Sequence, residues 1–389
     1  MVMFIRCPPA NILYNRANVK YRIFVMIREL HHGYLYDNKA VVLLLSVVDG
    51  VMRRLIVRKR IMPREVRRIL VVKPDHLGDL LLTSSVLPLL KKRFSASRID
   101  MVVNSGSLPV ARGSGIVARV FVVDHWMLNR SKIPLWRKLF FFMQSFCFTL
   151  REVRKIKYDL CLNLRAFGGN LVTLCGFSGS KYCVGHGTGG GGWLLDEAVP
   201  WASGKHEVEH YLEVLAPLGI EADLKELHCT LHVPEPVRNK VRAMVSDRKF
   251  SPFVVFQPGS GAAERMLPPD VWAATANALP KEVEILACGT ADEGNLISAI
   301  QEKTDRRLHD FTGRFQLEEL LSLYGEASAV FALESLSAHL GGTAGVRTIA
   351  YYRKGMSSPE MWRPLGDTVT IVDSPDQFIQ SAASLFEQR

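Results

Sequence analysis

The sequence predicts an α/β protein built of two parallel-sheet halves, with a basic helical extension ahead of them. Three observations lead there. Short runs of branched apolar residues alternate with stretches of helical apolar spacing, a pattern that yields parallel sheets covered by helices on both faces. Pro234, Glu235 and Pro236 interrupt this alternation past the middle of the chain, where paired prolines mark a break between elements. On each side of the break a strand run passes straight into a turn rich in glycine or carboxylates, as in RILVVKPDHLGDLLLTSSVLPLL at 68–90 and FVVFQPGSG at 253–261.

Taken in order, residues 1–38 mix basic and aromatic residues without a clear period and receive no assignment. From 39 to 60, Val41, Leu44, Leu45, Val48, Met52, Leu55 and Ile56 recur at helical spacing; Arg53, Arg54, Arg58, Lys59, Arg60, Arg64, Arg67 and Arg68 follow. Such a helix suits the interface of an anionic membrane, and it suits equally a helix packed on the next domain with its arginines solvated. The apolar run VVLLLSVV at 41–48 is far shorter than the about 20 residues of a bilayer span. Its basic cluster follows the run, unlike that of a signal peptide.

Strands are expected at 69–72, 99–103, 120–123 and 160–164 in the first half, and at 253–257, 284–288, 329–332 and 348–351 in the second. Between them, residues 126–157 interleave Trp136, Phe140, Phe141, Phe142, Phe146 and Phe148 with Arg130, Lys132, Arg137, Lys138, Arg151, Arg154, Lys155 and Lys157. This region reads either as a surface for a lipid-linked, phosphate-bearing acceptor or as an amphipathic helix whose aromatics are core. It lacks any motif that would make it a nucleic-acid surface. A last helix is expected at 375–387.

Composition narrows the function classes. A chain of 389 residues, 48% hydrophobic and 22% charged, is long enough for two ordinary cores. A net charge of +11 favours acidic partners: phosphorylated ligands, anionic lipid or nucleic acid. Seven cysteines without CxxC or His/Cys metal spacing point to a reducing compartment and away from disulfides or zinc. The glycine run at 185–192 lacks the GK[ST] ending of a phosphate loop and is expected to be a mobile loop beside a cleft. A G-x-S-x-G elbow and a metal-ligand cluster are both missing, which weighs against a hydrolase or phosphatase.

At 75–79 two carboxylates and a histidine, Asp75, His76 and Asp79, sit where a strand hands over to a helix. Ligands collect at such places in open α/β sheets, because helix N-termini present free N–H groups there. The same residues also suit a plain turn, with Asp75 as cap and Gly78 allowing close packing. Together with 253–261 and AVFALESLSAHLGGTA at 329–344, this turn resembles the glycosyltransferase family that contains the ADP-heptose:lipopolysaccharide heptosyltransferases. The resemblance covers residues 68–370 and takes in VGHGTGGGGWLL at 184–195, HEVEHYLEVLAPLGI at 206–220 and LHDFTGRFQLEELLSLYGEAS at 308–328. It implies the GT-B architecture, two Rossmann-like domains facing a cleft. On that view 1–66 is the extension with its basic amphipathic helix, 67–234 the acceptor domain, 235–374 the nucleotide-sugar donor domain, and 375–389 a helix crossing back to the first domain.

Inverting glycosyl transfer needs a carboxylate to take the acceptor's proton and positive groups to meet the departing nucleotide diphosphate. The resemblance makes Asp79 the base and lets Asp75 and His76 orient the acceptor. Arg265 falls where the family carries a phosphate-binding lysine, and its fork suits a pair of diphosphate oxygens. Ser260 and Gly261 would meet the same phosphates; Glu334, Ser335 and His339 complete the donor side. Here the chain departs from the family pattern of Asp, Ser or Thr, then Gly, with His three residues later: it has Glu334, Ser335, Leu336 and His339, and Leu336 removes the close backbone approach of glycine. Leu267 replaces the family's tryptophan before Pro268. These departures bear on the identity of the donor more than on the reaction.

The chain contains no D-x-D motif, in keeping with a metal-independent reaction in which protein cations and helix dipoles act. No cofactor is expected. The partners implied are an ADP-heptose-like nucleotide-sugar donor, a lipopolysaccharide-like glycolipid or other cell-envelope glycan acceptor and an anionic membrane surface, with no nucleic acid. The expected place is the cytoplasm, peripheral on the inner face of the cytoplasmic membrane. A competing reading is a catalytically weak scaffold of the same fold that binds nucleotide sugar or glycolipid. Glu334 and Leu336 favour the scaffold, whereas Asp79, Arg265, Ser335 and His339 favour the enzyme.

Overall fold

A computed structural model describes residues 34–35, 38–56, 60–129, 131–166, 171–356 and 358–386. Arg58, Lys59, Arg130 and residues 1–33 lie outside the described residues. The first sheet contains β1 (Arg68–Val72), β2 (Arg98–Val103), β3 (Val117–Val122), β4 (Leu160–Asn163), β5 (Tyr182–His186) and β6 (Glu197–Val199). The second contains β7 (Phe253–Gln257), β8 (Glu284–Ala287), β9 (Leu308–Asp310), β10 (Ala329–Leu333), β11 (Thr348–Tyr351) and β12 (Val369–Val372). The helices that frame the site and the outer surface are α1 (Lys39–Leu55), α2 (Leu77–Ser84), α3 (Leu135–Ile156), α4 (Val172–Phe177), α5 (Glu207–Leu215), α6 (Pro269–Ala278), α7 (Leu336–Ala344) and α8 (Pro375–Ala383).

Among the described residues every strand pairing is parallel, and the orders are β3-β2-β1-β4-β5-β6 and β12-β11-β10-β7-β8-β9. Counted from its own first strand, each half therefore has the same doubly wound order, 3-2-1-4-5-6. The two-sheet α/β class read from the sequence is the fold adopted. In this order the chain reverses direction between the first and fourth strands of each half, which opens a crevice beyond their carboxyl ends. Those crevices follow β1 and β4 in the first half, β7 and β10 in the second.

The central strands are legible as continuous apolar runs because parallel strands bury both faces. In β1, Ile69 and Val71 pack with Leu80, Leu81 and Met101, while Leu70 and Val72 face Val153, Leu174 and Cys183 on the opposite side. All eight expected strands form. The sequence reading missed β5, β6, β9 and β12; β6 and β9 are three-residue edge strands in which exposure of Glu197, Ala198 and Asp310 breaks the apolar run that marks a strand.

In the second half Trp272 on α6 is fully buried, with ring centroids 5.2 Å from Phe256 and 5.1 Å from Phe378. Phe378 belongs to α8, and α8 packs on α6 and β11. The expected crossing back to the first domain gives way to this packing, because Phe378 and Ala382 are both buried in the second half's core.

The basic extension forms α1, capped by Asn38, whose side chain accepts from Ala40 N and Val41 N. Its buried positions are Val42, Ser46 and Asp49. The Asp49 carboxylate accepts from Gly191 N at 2.9 and 3.1 Å and from the Tyr34 hydroxyl at 2.9 Å. Gly190 and Gly191 have φ of 87° and 79°, a left-handed conformation that suits glycine, and a Cβ on Gly190 would press on Leu45. The glycine run expected beside the cleft is thus the seat of α1, and none of its residues lines the cleft.

Helix α3 divides its aromatics. Phe142 and Phe146 pack inward with Val153, but Trp136, Phe140, Phe141 and Phe148 are exposed. No described helix is long and apolar enough to cross a membrane. The aromatic cluster yields a stability prediction: Trp272→Ala should cost about 3–5 kcal/mol, the range for a large aromatic removed from a packed core, read from the shift of the urea unfolding midpoint.

Candidate active site

Both crevices open into one cavity of about 700 Å³. After β1, the chain delivers His76, Leu77, Gly78 and Asp79 to its wall; after β7 come Ser260, Gly261 and Arg265; after β10 come Glu334, Ser335, Leu336 and His339. The N-termini of α2 and α7 meet here across the cleft. A Cβ on Gly78 would lie 3.3 Å from His339 Cδ2 and 3.9 Å from Leu336 Cα. Glycine at 78 lets the two halves close to this distance.

A charged cluster lies directly behind the first turn. Lys73 is fully buried; its Nζ lies 2.9 Å from Glu207 Oε1, 3.2 Å from Asp75 Oδ2 and 3.2 Å from the Leu164 carbonyl, and sits 4.5 Å from the Tyr211 ring centroid. Arg165, at the end of β4, forms a second ion pair with Asp75. Burial disfavours the Lys73 charge, but Glu207 and Asp75 outweigh it and push the ammonium up. Burial likewise opposes ionisation of Asp75, yet Lys73 and Arg165 hold its carboxyl well below the usual carboxylate range.

Asp79 has the opposite fate. Burial comes first, then the neighbouring Asp75 charge and a side-chain hydrogen bond to it, and together they push Asp79 far above an ordinary carboxyl. Of the two carboxyls the proton therefore favours Asp79, because burial and the Asp75 charge outweigh the pull of Lys73 on it, whereas Asp75 has both Lys73 and Arg165.

Expected site residues thus fall into two groups. Asp79, His76, Ser260, Gly261, Arg265, Glu334, Ser335 and His339 all line the cavity, whereas Asp75 stands behind it with its carboxylate taken up by Lys73, Arg165 and the His76 amide at 2.9 Å. In the second half Arg265 Nη1 lies 3.3 Å from Glu334 Oε1. Ser335 caps α7, its hydroxyl accepting from Ser337 N at 3.3 Å. Leu336 is partly buried at the cavity wall, and Leu267 is buried in the second half's core.

His339 is buried with Nδ1 unpartnered. Burial and the nearby His206 push it down to about 4, so it is neutral at ordinary pH.

Sequence reasoning missed Lys73, Arg165 and Glu207. A lysine at the end of a wholly apolar strand is a signal for a buried acidic partner, and Glu207 lies in the quoted HEVEH stretch. Arg165 carried no such signal. Among the described residues, His186, His210 and Glu213 could bring three metal ligands together. Both ring nitrogens of His186 already face backbone carbonyls, those of Val199 and His210, at 3.1 Å. His210 Nδ1 is 3.0 Å from Glu213.

Two facing domains of this strand order, with carboxylate and cation gathered in the crevice between them, form the GT-B architecture that glycosyltransferases use. The chain belongs to glycosyltransferase family 9 (heptosyltransferase), whose sequence profile matches residues 149–383. It is 22% identical over 296 residues to lipopolysaccharide heptosyltransferase 3 of Escherichia coli, a match covering 74% of this chain and 83% of that protein. The fold is similar to that of a family 9 glycosyltransferase from Veillonella parvula, with a TM-score of 0.68, 19% identity and coverage of 84% and 90%. It is similar also to the E. coli ADP-heptose lipopolysaccharide heptosyltransferase II, with a TM-score of 0.66, 17% identity and coverage of 82% and 99%.

The buried imidazole makes stability depend on pH. An unfolded chain protonates His339 near pH 6.5, the folded one only near 4, so unfolding gains protons and becomes easier as pH falls through that window. Relative to His339→Gln, the natural protein should lose up to about 1.4 kcal/mol per pH unit between 6.5 and 4, measured by denaturant titration at each pH.

Proposed function

We propose that this chain is an inverting, metal-independent transferase that moves a heptose-like sugar from a nucleotide diphosphate donor, ADP-linked or a close variant, to a lipopolysaccharide-type glycolipid or related envelope glycan. One observation carries the proposal: Asp79, Arg265 and the N-terminus of α7 converge on a single cleft. The names of its relatives, lipopolysaccharide and ADP-heptose heptosyltransferases, support the donor and acceptor classes.

The first domain holds the acceptor, with His76 beside its hydroxyl. Asp79 takes that hydroxyl's proton as the oxygen attacks the anomeric carbon from the face opposite the nucleotide, and the bond from that carbon to the diphosphate oxygen breaks. Its raised proton affinity makes it a strong base once ionised. Arg265, Ser260, the Gly261 amide and the positive end of the α7 dipole receive the charge that develops on the diphosphate. Asp75 is a positioning residue that acts through Asp79. Glu334 steers the Arg265 fork, and Leu336 narrows the donor side where the family has glycine. The reaction belongs at the inner face of the cytoplasmic membrane, with the basic extension attaching the protein there.

Asp79→Asn should lower turnover by about 10²–10⁴-fold while leaving the affinity for ADP-sugar and the melting temperature nearly unchanged. A nucleotide-sugar-binding scaffold would show donor binding but no turnover in the natural chain, so the comparison also separates the two readings. Arg265→Ala should weaken nucleoside-diphosphate binding by about 1.5–3 kcal/mol, the scale of a hydrogen bond to a charged group, in calorimetric titrations.

The pH profile carries a further expectation. Only ionised Asp79 accepts a proton, so kcat/KM should rise with pH through its raised pKa. Asp75→Asn removes the neighbouring negative charge and should move that rise to lower pH; an unmoved profile would sever Asp75 from the base.

A further inference from the structure

We infer that α1, α4 and α3 together form one docking surface for an anionic lipid bilayer, on an outer face of the first sheet and beside the end of that sheet that opens into the cleft. Among the described residues, every exposed large apolar side chain except Met356 belongs to α1 and the segment after it, to the stretch from Met127 to Phe148, or to Phe177 on α4. Leu44, Leu55, Trp136, Phe140 and Phe148 are each 61–74% exposed. A polarisation this complete marks an interaction surface, since scattered exposure would spread over both halves.

The three helices are neighbours on one face of the first sheet. Helix α3 packs on α4, α4 on the short turn Gly192–Leu194, and that turn on α1. Phe177 thus sits between two apolar helix faces. Helix α1 is seated with its polar side inward: Ser46 and Asp49 are buried, and Asp49 grips the Gly191 amide. Its apolar side, Leu44, Val47, Val48 and Val51, is left facing out.

Charge selects the occupant. The only carboxylate on α1 is the buried Asp49, and the only one on α3 is Glu152, which is paired with Lys155. Around the apolar residues stand Arg53 and Arg54 in the last turn of α1, Arg137 against the Trp136 ring at 5.2 Å, and Arg151 and Arg154. A second copy would set arginines against arginines, whereas anionic headgroups complement them, with aromatics at headgroup depth. The position in the fold follows from topology. Helix α3 starts after β3 and the seat of α1 follows β5, so both begin at the sheet end that bears the Asp75–Asp79 turn. That this surface brings a lipid-linked acceptor to Asp79 rests on the proposed transfer reaction; the docking itself rests on the surface.

The test uses the full chain with vesicles of phosphatidylcholine alone or mixed with phosphatidylglycerol, in sedimentation at low and high salt. The natural protein should bind the anionic vesicles, weakly at high salt, and brominated lipid should quench Trp136 emission, a signal lost in Trp136→Phe. Phe140→Glu with Phe148→Glu on α3, and separately Leu44→Glu with Val48→Glu on α1, should each reduce vesicle binding at least tenfold. Both should keep the natural melting temperature and ADP affinity, and Met356→Glu should bind vesicles normally.

Vesicle binding that survives either double substitution, or that Met356→Glu reduces equally, would overturn the inference. So would a dimer in sedimentation velocity that the α3 substitutions dissolve while vesicles are ignored. A chain that binds vesicles through these helices but transfers no sugar would leave the surface standing and remove the proposed reaction.

Discussion

Lys73 is an ammonium with no exposed surface at the end of β1, and the cost of placing a charge there governs everything around it. Such a charge is tolerated only when carboxylates are held against it in good geometry. Glu207 from α5 and Asp75 from the turn meet that demand, and Arg165 from β4 adds a second cation to Asp75. The consequence is a fixed polarity between two adjacent carboxyls. Asp75 is committed to its cations, and Asp79, one helical turn further and facing the cavity, retains the proton. A lone pair of aspartates would have no reason to divide their roles in this way. Here the division is written by residues that never reach the cavity.

The second constraint is backbone proximity. Both halves present the same strand order, so each offers its own crevice, and the site exists only because the crevices are brought mouth to mouth. Gly78 permits that approach at α2, where any side chain would meet His339. His339 is neutral and buried at the seam, which leaves the positive charge on the second half's wall of the cavity to Arg265 and to the first turn of α7. An imidazolium at the seam would have repelled the same arginine.

Much of this was legible in the sequence, and the limits have physical causes. Strands buried on both faces announce themselves as unbroken apolar runs, so β1, β7 and β10 and the turns that follow them could be located, and with them every cavity-lining residue that was named. Edge strands such as β6 and β9 bury one face or none and leave no run to recognise. Arg165 is invisible because its meaning arises from the pairing of β4 with β1, a relation between residues far apart in the chain. The glycine run misled because glycine reports only backbone freedom. The partner that needs that freedom, Leu45, lies well over a hundred residues upstream. The split of aromatics on α3 is likewise a tertiary matter, since the periodicity of the helix suits either face.

The ion pair between Arg265 and Glu334 has a consequence for selectivity. The arginine has an anionic companion within the protein, 3.3 Å away, with one formal charge. An incoming monoanion offers it little that the resident carboxylate does not already supply. A ligand carrying two or more charges on adjacent oxygens can displace that carboxylate and also meet the positive end of the α7 dipole. On the proposed reading the pair sets a charge threshold that favours a diphosphate over a simple monoanion.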